Sequence, residues 1–232
     1  PVFRFRAGIG LYETPDFDVA PGEQDRHQRT EVTEERIDKL LKGVQNVAAG
    51  KTRKYVFVNE TGDKIESDID CAIYDMSRNI VLIIEAKWRT NHYFDEIDRA
   101  YGRIFRTLIN AYSDQIAKHQ EFVSRPGSLD FIFEEDTRYV SPKEMPTIYY
   151  IAVDKRNQMH IEDKHMISEY MLVYYLKKHI IDENLDLREF WDEVSELKTE
   201  VKYISSSKEY KEFEIGEYKI LVEDGELHLD YL

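Results

Sequence analysis

Cysteine is nearly absent from this sequence, and long apolar runs are missing. The single cysteine, Cys71, has no partner for an internal disulfide and lies in an apolar stretch, so we expect a small core residue and a reducing cytoplasm. No apolar run approaches the roughly 20 residues that a membrane-spanning helix needs. The start, PVFRFRAGIG, is too short and too polar for a secretory signal. We therefore expect no membrane partner.

Basic residues are outnumbered, with 32 Lys and Arg against 46 Asp and Glu and a net charge of -14. This balance argues against a general nucleic-acid binder, because phosphate contacts need clustered Lys and Arg. It leaves a nuclease open. Global charge says little about a local groove, and bound cations neutralise the negative charge of an acidic metal centre.

The composition otherwise favours a globular chain, since 42% of the 232 residues are hydrophobic and 12% are aromatic. That length suits one main domain with an appendage. We expect an N-terminal segment at 1–30, a core at 31–153 and an extension at 154–232. The first segment carries turn formers and charges and starts without Met, which suggests a linker to a partner domain ahead of Pro1. A homo-oligomer is also left open.

Hydrophobic periodicity predicts an α/β core in the order αβββαβ. The elements are a helix at 31–48, a three-strand meander at 54–58, 65–75 and 80–84, a long helix at 94–123, and a buried strand at 148–153. Two further helices, around 167–180 and 187–204, follow the core. The dipeptide Asp224-Gly225 lies between alternating segments and predicts a C-terminal β-hairpin.

Three polar residues at strand ends carry the chemistry. Glu85 and Lys87 are two residues apart at the end of the apolar run IVLII, so their side chains leave the same face of the strand. Charged groups at the end of a buried strand cost desolvation energy unless they are paired or bind a metal. Asp70 opens the apolar half of the preceding strand, and an antiparallel turn at 76–79 would bring Glu85 beside it.

The segments SDIDCAIYD and VLIIEAKW together resemble the D-(x)n-E-x-K signature of PD-(D/E)xK nucleases, the restriction-endonuclease-like superfamily. Within that superfamily, the pattern is most similar to that of Holliday-junction resolvases and Mrr-like restriction enzymes, since an apolar strand there also ends in E-x-K-W. The resemblance covers roughly residues 31–153 and implies an αβββαβ core with a mixed central sheet. It also implies that Asp70 and Glu85 are metal ligands and that Lys87 orients or activates the attacking water.

Two further residues enter through the resemblance. Many members add a glutamate from the first helix, and Glu34 lies near that helix's apolar stripe, although an ordinary first-turn acid explains it equally well. Some members use a glutamine on the helix after the E-x-K strand; Gln115 has that place, but a polar residue on a helix shoulder explains it better. Asp68 is an alternative to Asp70 as the ligand, and a solvated strand-entry residue is the simpler interpretation.

The resemblance implies a nuclease acting on DNA. Its two carboxylates fit Mg²⁺ or Mn²⁺, because hard divalent cations prefer carboxylate oxygens. The domain would belong to a larger restriction, repair or defence protein. Two alternatives remain: a catalytically silent module that keeps the nuclease-like fold for nucleic-acid or protein binding, and a nuclease acting on RNA. His119, His160 and His165 lack metal-ligand spacing, so we expect structural or surface roles for them.

An acidic nuclease still needs local positive charge to hold a polyanion. The nearest arginines after the E-x-K strand are Arg89, Arg99, Arg103 and Arg106. The last three are spaced four and three residues apart, so they form one ridge on the long helix. A solvated face paired with neighbouring acids is the competing interpretation for each of them.

Overall fold

The computed structural model describes residues 35–87 and 102–197 with their side chains, and the backbone of 3–6, 97–101, 202–203, 209–215, 218–224 and 229–230. Its helices are α1 (35–41), α2 (Ile97–Asn110), α3 (Ala117–Val123), α4 (Ser128–Phe133), α5 (Glu169–Lys178) and α6 (Leu187–Ser195), with a π-helical turn, Ala111–Ile116, joining α2 to α3. Its strands are β1 (Phe3–Arg6), β2 (Val47–Gly50), β3 (Arg53–Val58), β4 (Lys64–Ile69), β5 (Cys71–Asp75), β6 (Ile80–Lys87), β7 (Thr147–Asp154), β8 (Met159–Ile161), β9 (Lys164–Ser168), β10 (Ile180–Ile181), β11 (Asn184–Leu185), β12 (Lys202–Tyr203), β13 (Glu209–Ile215), β14 (Tyr218–Asp224) and β15 (Leu229–Asp230).

The chain forms two compact units, Ala20–Lys198 and the pair Pro1–Val19 with Thr199–Leu232. In the larger unit, a six-stranded mixed sheet has the order β2-β5-β6-β7-β9-β8. Strands β5 and β6 are antiparallel, whereas β6, β7 and β9 are parallel. The α/β class expected from the sequence is therefore confirmed, and strands β8 and β9, from the predicted extension, belong to the same sheet as the core strands.

Alternating side chains of β5 and β6 divide the core of the larger unit into two layers. Cys71 and Ile84 face one layer, where α1, α5 and α6 pack. Ala72 and Ile83 face the other, where β3, α3 and α4 pack. Cys71 is buried in the first of these layers, as expected for a small core residue. The two layers bury both faces of β6, which explains its uninterrupted apolar run.

The predicted meander has its two antiparallel pairings, but they belong to two different sheets. The segment predicted as one strand at 65–75 breaks at Asp70, so β4 pairs with β3 in a separate two-stranded sheet while β5 enters the central sheet. The place of the missing third strand is taken by β2, which pairs antiparallel with β5. A period-two and a period-3.6 pattern are hard to separate over few residues, and Val47 and Ala48, predicted as helical, lie in β2.

Several other elements have the predicted place with corrected ends. Helix α1 ends at residue 41 rather than 48, and α6 ends at Ser195, with Lys202–Tyr203 extended rather than helical. The segment after residue 125, for which no helix or strand was predicted, contains the largely buried helix α4. This helix packs so closely on β2 that a Cβ at Gly50 would lie 2.8 Å from Ile132 Cγ2.

The smaller unit contains the sheet β1-β14-β13, in which β1 is parallel and β13 antiparallel to β14. A C-terminal hairpin therefore exists, but it joins β13 to β14 and precedes the predicted turn at Asp224-Gly225. None of the helices in the described part of the chain combines the length and apolar character that crossing a membrane requires.

Candidate metal centre

The break between β4 and β5 places Asp70 beside the end of β6. Cys71 is opposite Ile84 in the antiparallel ladder, so Asp70 and Glu85 are the next positions along the two strands. The Ala86 N–H donates a hydrogen bond to Asp70 Oδ2 at 2.6 Å. The carboxyl group of Asp70 is thus fastened to the backbone between Glu85 and Lys87.

Glu85 and Lys87 are in direct contact. On β6, Val81 and Ile83 face the layer that contains α3, and the period of two sends Glu85 and Lys87 to that same face. Lys87 Nζ lies 2.5 Å from Glu85 Oε1. The Glu85 side chain is only 6% exposed and the Lys87 side chain 25% exposed, so this ion pair is largely shielded from water.

The surroundings of Asp70 raise the pKa of its carboxyl group from 3.8 to about 8. Burial is the largest cause, and the nearby carboxylate of Glu85 is the next. The Ala86 N–H and the ammonium group of Lys87 oppose the rise without cancelling it. The positive charge of Lys87 is therefore too little to offset burial and the neighbouring carboxylate, and a divalent cation would supply more.

His119 of α3 completes the surroundings of Glu85, although the sequence predicted only a structural or surface role. The imidazole is fully buried, with Nε2 2.8 Å from Glu85 Oε2. Its Nδ1 lies 2.7 Å from the hydroxyl of Tyr55 on β3. These partners are 34 and 64 residues away in the chain, so no local spacing rule indicates the contact.

Comparisons of the chain with protein-family models, with curated proteins and with solved structures give no match. Support for a metal centre here therefore comes from the residues of the site and their geometry.

The donor set fits a hard divalent cation. Among the residues the structure describes, no three His, Cys, Asp or Glu side chains converge as a ready metal set. Asp70 and Glu85 can supply two carboxylates, and water and phosphate oxygens commonly complete such a shell around Mg²⁺. Each carboxylate oxygen has two lone pairs, so the hydrogen bonds to Glu85 leave acceptor capacity for a cation.

Gln115 lies near this centre without touching Glu85. It belongs to the π-helical turn Ala111–Ile116, a feature often found at functional sites. Its Oε1 accepts a hydrogen bond of 2.8 Å from Ser67 Oγ on β4. Asp68, the alternative ligand, is exposed and opposite Lys54 in the β3–β4 hairpin.

The remaining predicted residues are only partly described. Glu34 and Arg89 lie outside the described residues, and for Arg99 only the backbone is described. Arg103 is partly buried, whereas Arg106 is exposed and its Nε donates to the Gly102 carbonyl at 3.1 Å. Roles of these four arginines in phosphate binding, and of Glu34 in metal binding, stay predictions.

Proposed function

We propose that this chain is a metal-dependent nuclease of the PD-(D/E)xK type that hydrolyses phosphodiester bonds in DNA. The observation that carries the proposal is the Asp70 carboxyl group, whose pKa is raised to about 8 beside Glu85, with Lys87 in contact with that glutamate. Two carboxylates held together in a shielded place destabilise the folded chain unless a cation joins them. Strong pKa perturbation by burial and a charged neighbour is typical of functional sites.

The topology supports the same proposal. The antiparallel pair β5–β6, the helical segment α2–α3 and the parallel strand β7 follow one another in the order ββαβ, which is the second part of the core that the resemblance implies. Asp70 and Glu85 come from the two antiparallel strands of that unit. Ligand sites in α/β sheets commonly lie beyond the carboxyl ends of parallel strands, where β6 presents Glu85 and Lys87.

Each residue has a definite part in hydrolysis. A water oxygen bonds to phosphorus while one ester P–O bond breaks. The attacking water gives a proton to solvent, the leaving oxygen takes one from solvent, and negative charge develops on the phosphate oxygens in between. Asp70 and Glu85 would hold Mg²⁺ or Mn²⁺, which polarises the phosphate and lowers the pKa of bound water. The ammonium group of Lys87, fixed by Glu85, would orient the water and stabilise the developing charge.

A second candidate function has its own supporting observation. Both carboxylate oxygens of Glu85 already have protein partners, Lys87 and His119, so the network is satisfied internally. A silent module that keeps the fold for binding would need no cation there. Metal binding separates the two functions, because only the nuclease requires a cation that depends on Asp70 and Glu85.

The deciding experiment measures cleavage of single-stranded, duplex and branched DNA, with matched RNA, in Mg²⁺ or Mn²⁺. Asp70→Asn and Lys87→Met should lower the rate by about 100-fold or more, because each removes a group acting on the reacting phosphate. Glu66→Gln, on the exposed face of β4, is the matched control and should cleave like wild type. Equal rates for all four proteins would reject catalysis at this site, and faster cleavage of RNA would replace DNA as the substrate.

Calorimetric titration with Mn²⁺ tests the silent-module function. A nuclease should bind the cation, and Glu85→Ala should abolish that binding. A wild-type protein that binds no Mn²⁺ and cleaves nothing would favour the silent module.

A further inference from the structure

A buried chain of hydrogen bonds leads from the β3–β4 hairpin to the candidate metal centre. The Tyr55 hydroxyl contacts His119 Nδ1 at 2.7 Å, His119 Nε2 contacts Glu85 Oε2 at 2.8 Å, and Glu85 Oε1 contacts Lys87 Nζ at 2.5 Å. Tyr55 is 3% exposed, His119 0% and Glu85 5%. Water is therefore a poor competitor for these contacts, and each partner depends on the next.

An ionised carboxylate only accepts hydrogen bonds, so His119 Nε2 is the donor to Glu85 Oε2, and Nδ1 of a neutral ring is left to accept from the Tyr55 hydroxyl. Burial raises the pKa of Tyr55 to about 12, so its hydroxyl keeps its proton at neutral pH. When that hydroxyl donates to Nδ1 of a neutral imidazole, the ring proton has to lie on Nε2. His119 then presents an N–H to Glu85 Oε2, whereas the other tautomer would direct a lone pair at the carboxylate.

The two residues are also held rigidly. The Tyr55 ring stacks on Phe122 with centroids 4.0 Å apart and an interplanar angle of 10°. The rings of Tyr55 and His119 form a T-shaped pair with centroids 5.9 Å apart. His119 and Phe122 both belong to α3, directly after the π-helical turn. A local change from α to π geometry rotates the residues that follow, which brings this part of the helix into register with Glu85.

We propose that Tyr55 and His119 are positioning residues, which occupy Oε2 of Glu85 and thereby direct its Oε1 towards Lys87 and a divalent cation. This inference rests on the proposed function of the site. It adds two residues from elements outside the D-(x)n-E-x-K segment, and it assigns them a task in cation binding rather than in bond cleavage. Outer partners that orient a metal ligand typically change metal affinity by about 10- to 100-fold when they are removed.

A purely structural role gives a different expectation. Buried polar groups need partners for stability alone, so any substitution here lowers the free energy of unfolding. Only a positioning role changes the affinity for a cation in protein that remains folded. The two roles separate when Mn²⁺ affinity is measured by calorimetry at a temperature where every variant is folded by circular dichroism.

The variants are His119→Leu, His119→Gln, Tyr55→Phe and the double variant Tyr55→Phe/His119→Gln. We expect His119→Leu to weaken Mn²⁺ binding by about 10-fold or more, and Tyr55→Phe by a smaller factor, because the imidazole keeps a donor but loses its fixed tautomer. His119→Gln should restore most of the affinity through its side-chain N–H. In that background Tyr55→Phe should have no further effect on affinity, since no tautomer is left to fix.

Tyr74→Phe is the matched control. Tyr74 is a buried tyrosine facing the same layer, and its hydroxyl donates to Asn79 rather than to His119. It should lose stability without losing Mn²⁺ affinity. Wild-type affinity in both Tyr55→Phe and His119→Leu, with Glu85→Ala silent, would overturn the positioning role and leave the proposed function standing. A wild-type protein that binds no Mn²⁺ would overturn both.

Nitrogen-15 NMR of the histidine rings gives a readout that needs no metal. In the wild-type protein, His119 should carry its proton on Nε2 and none on Nδ1. In Tyr55→Phe, the Nδ1 resonance should move towards the protonated position as the second tautomer becomes populated. A proton on Nδ1 in the wild type would overturn the proposal, whatever the affinities show.

Discussion

The two ends of β5 carry aspartates with opposite surroundings. Asp75, the last residue of β5, is fully buried, and its carboxylate accepts hydrogen bonds from three side chains and three backbone N–H groups. The side-chain donors are Asn46 Nδ2, Ser77 Oγ and Arg78 Nη1. The backbone donors are the N–H groups of Ser77, Arg78 and Leu187. Asp70, just before the strand, accepts one hydrogen bond, from Ala86, among the residues described. After burial, the carboxylate of Glu85 raises the pKa of Asp70 most.

Under the proposed function, this difference separates a structural acid, Asp75, from a metal ligand, Asp70. A buried carboxylate with a full set of donors ties elements together, and Asp75 joins the turn after β5 to the start of α6. A carboxylate short of donors costs stability, which a chain retains where the cost serves binding or catalysis. Burial alone therefore does not identify a site, whereas the balance of donors and charges does.

The largest test of this contrast is the loss of Asp75. Asp75→Ala should lower the free energy of unfolding by about 3–5 kcal/mol, because the Arg78 guanidinium and several N–H groups lose a buried partner. Urea denaturation measures the change. Asp68→Ala, an exposed neighbour on β4, should stay within about 0.5 kcal/mol of wild type. A small effect at Asp75 would mean that its donors find water, and the contrast would fail.

Asp70 should behave in the opposite way in metal-free protein. Its pKa rises from 3.8 in the unfolded chain to about 8 in the folded one, so the folded state binds more protons between these values. Stability should therefore fall as the pH rises from about 4 to about 8. Asp70→Asn should remove this slope and gain on the order of 3 kcal/mol at pH 8, seen in urea midpoints across pH with chelator present. A variant less stable than wild type at pH 8 contradicts the raised pKa.

A bound cation should reverse the loss of stability that Asp70 causes, and it should leave the contribution of Asp75 to stability unchanged. Mg²⁺ at about 100 times its dissociation constant should add about 2.7 kcal/mol to the stability of wild type. Asp70→Asn and Glu85→Gln should lose this gain, whereas Asp68→Asn should keep it. Thermal unfolding with and without Mg²⁺ is the measurement. Equal gains in all variants would place the cation elsewhere.

The sequence predicted the centre of the fold better than its edges. Strand β6 and strand β7 have long apolar runs, and the helix that ends at Val123 has a clear 3.6-residue period, so each signal is local. The structure has β2, rather than β3, beside β5. This pairing depends on contacts between distant segments, and local periodicity carries no information about such contacts.

The site shows the same division. The contact of Glu85 with Lys87 follows from a spacing of two on one strand, and it was predictable. His119 was not, since it depends on how a helix with a π-helical turn lies over the sheet. Asp75 was not singled out either, because its donors come from the segments around 46, 77 and 187.

The pair His160 and His165 tests whether a shortage of hydrogen-bond partners is enough to mark a functional site. His160 and His165 form a buried pair on β8 and β9 with their Nδ1 atoms 2.9 Å apart. Among the described residues, none is a hydrogen-bond partner of His160 Nε2. Burial, and then the neighbouring His165, lower the pKa of His160 from 6.5 to about 4. Unlike Asp70, the His160 imidazole avoids the free-energy cost of a buried charge by staying neutral, so no bound ion is needed to compensate a charge.

Because His160 stays neutral in the folded chain, its effect on stability has a definite dependence on pH. The unfolded chain binds a proton below about pH 6.5 and the folded chain only near pH 4, so His160 makes stability fall as the pH drops between these values. Asp70 acts in the opposite direction over part of this range, and the Asp70→Asn background removes its contribution. In that background, His160→Gln should flatten the acid side of the urea-midpoint curve, a difference of about 2 kcal/mol near pH 4. An unchanged curve would mean that the pair is hydrated, and the neutral-pair explanation would be wrong.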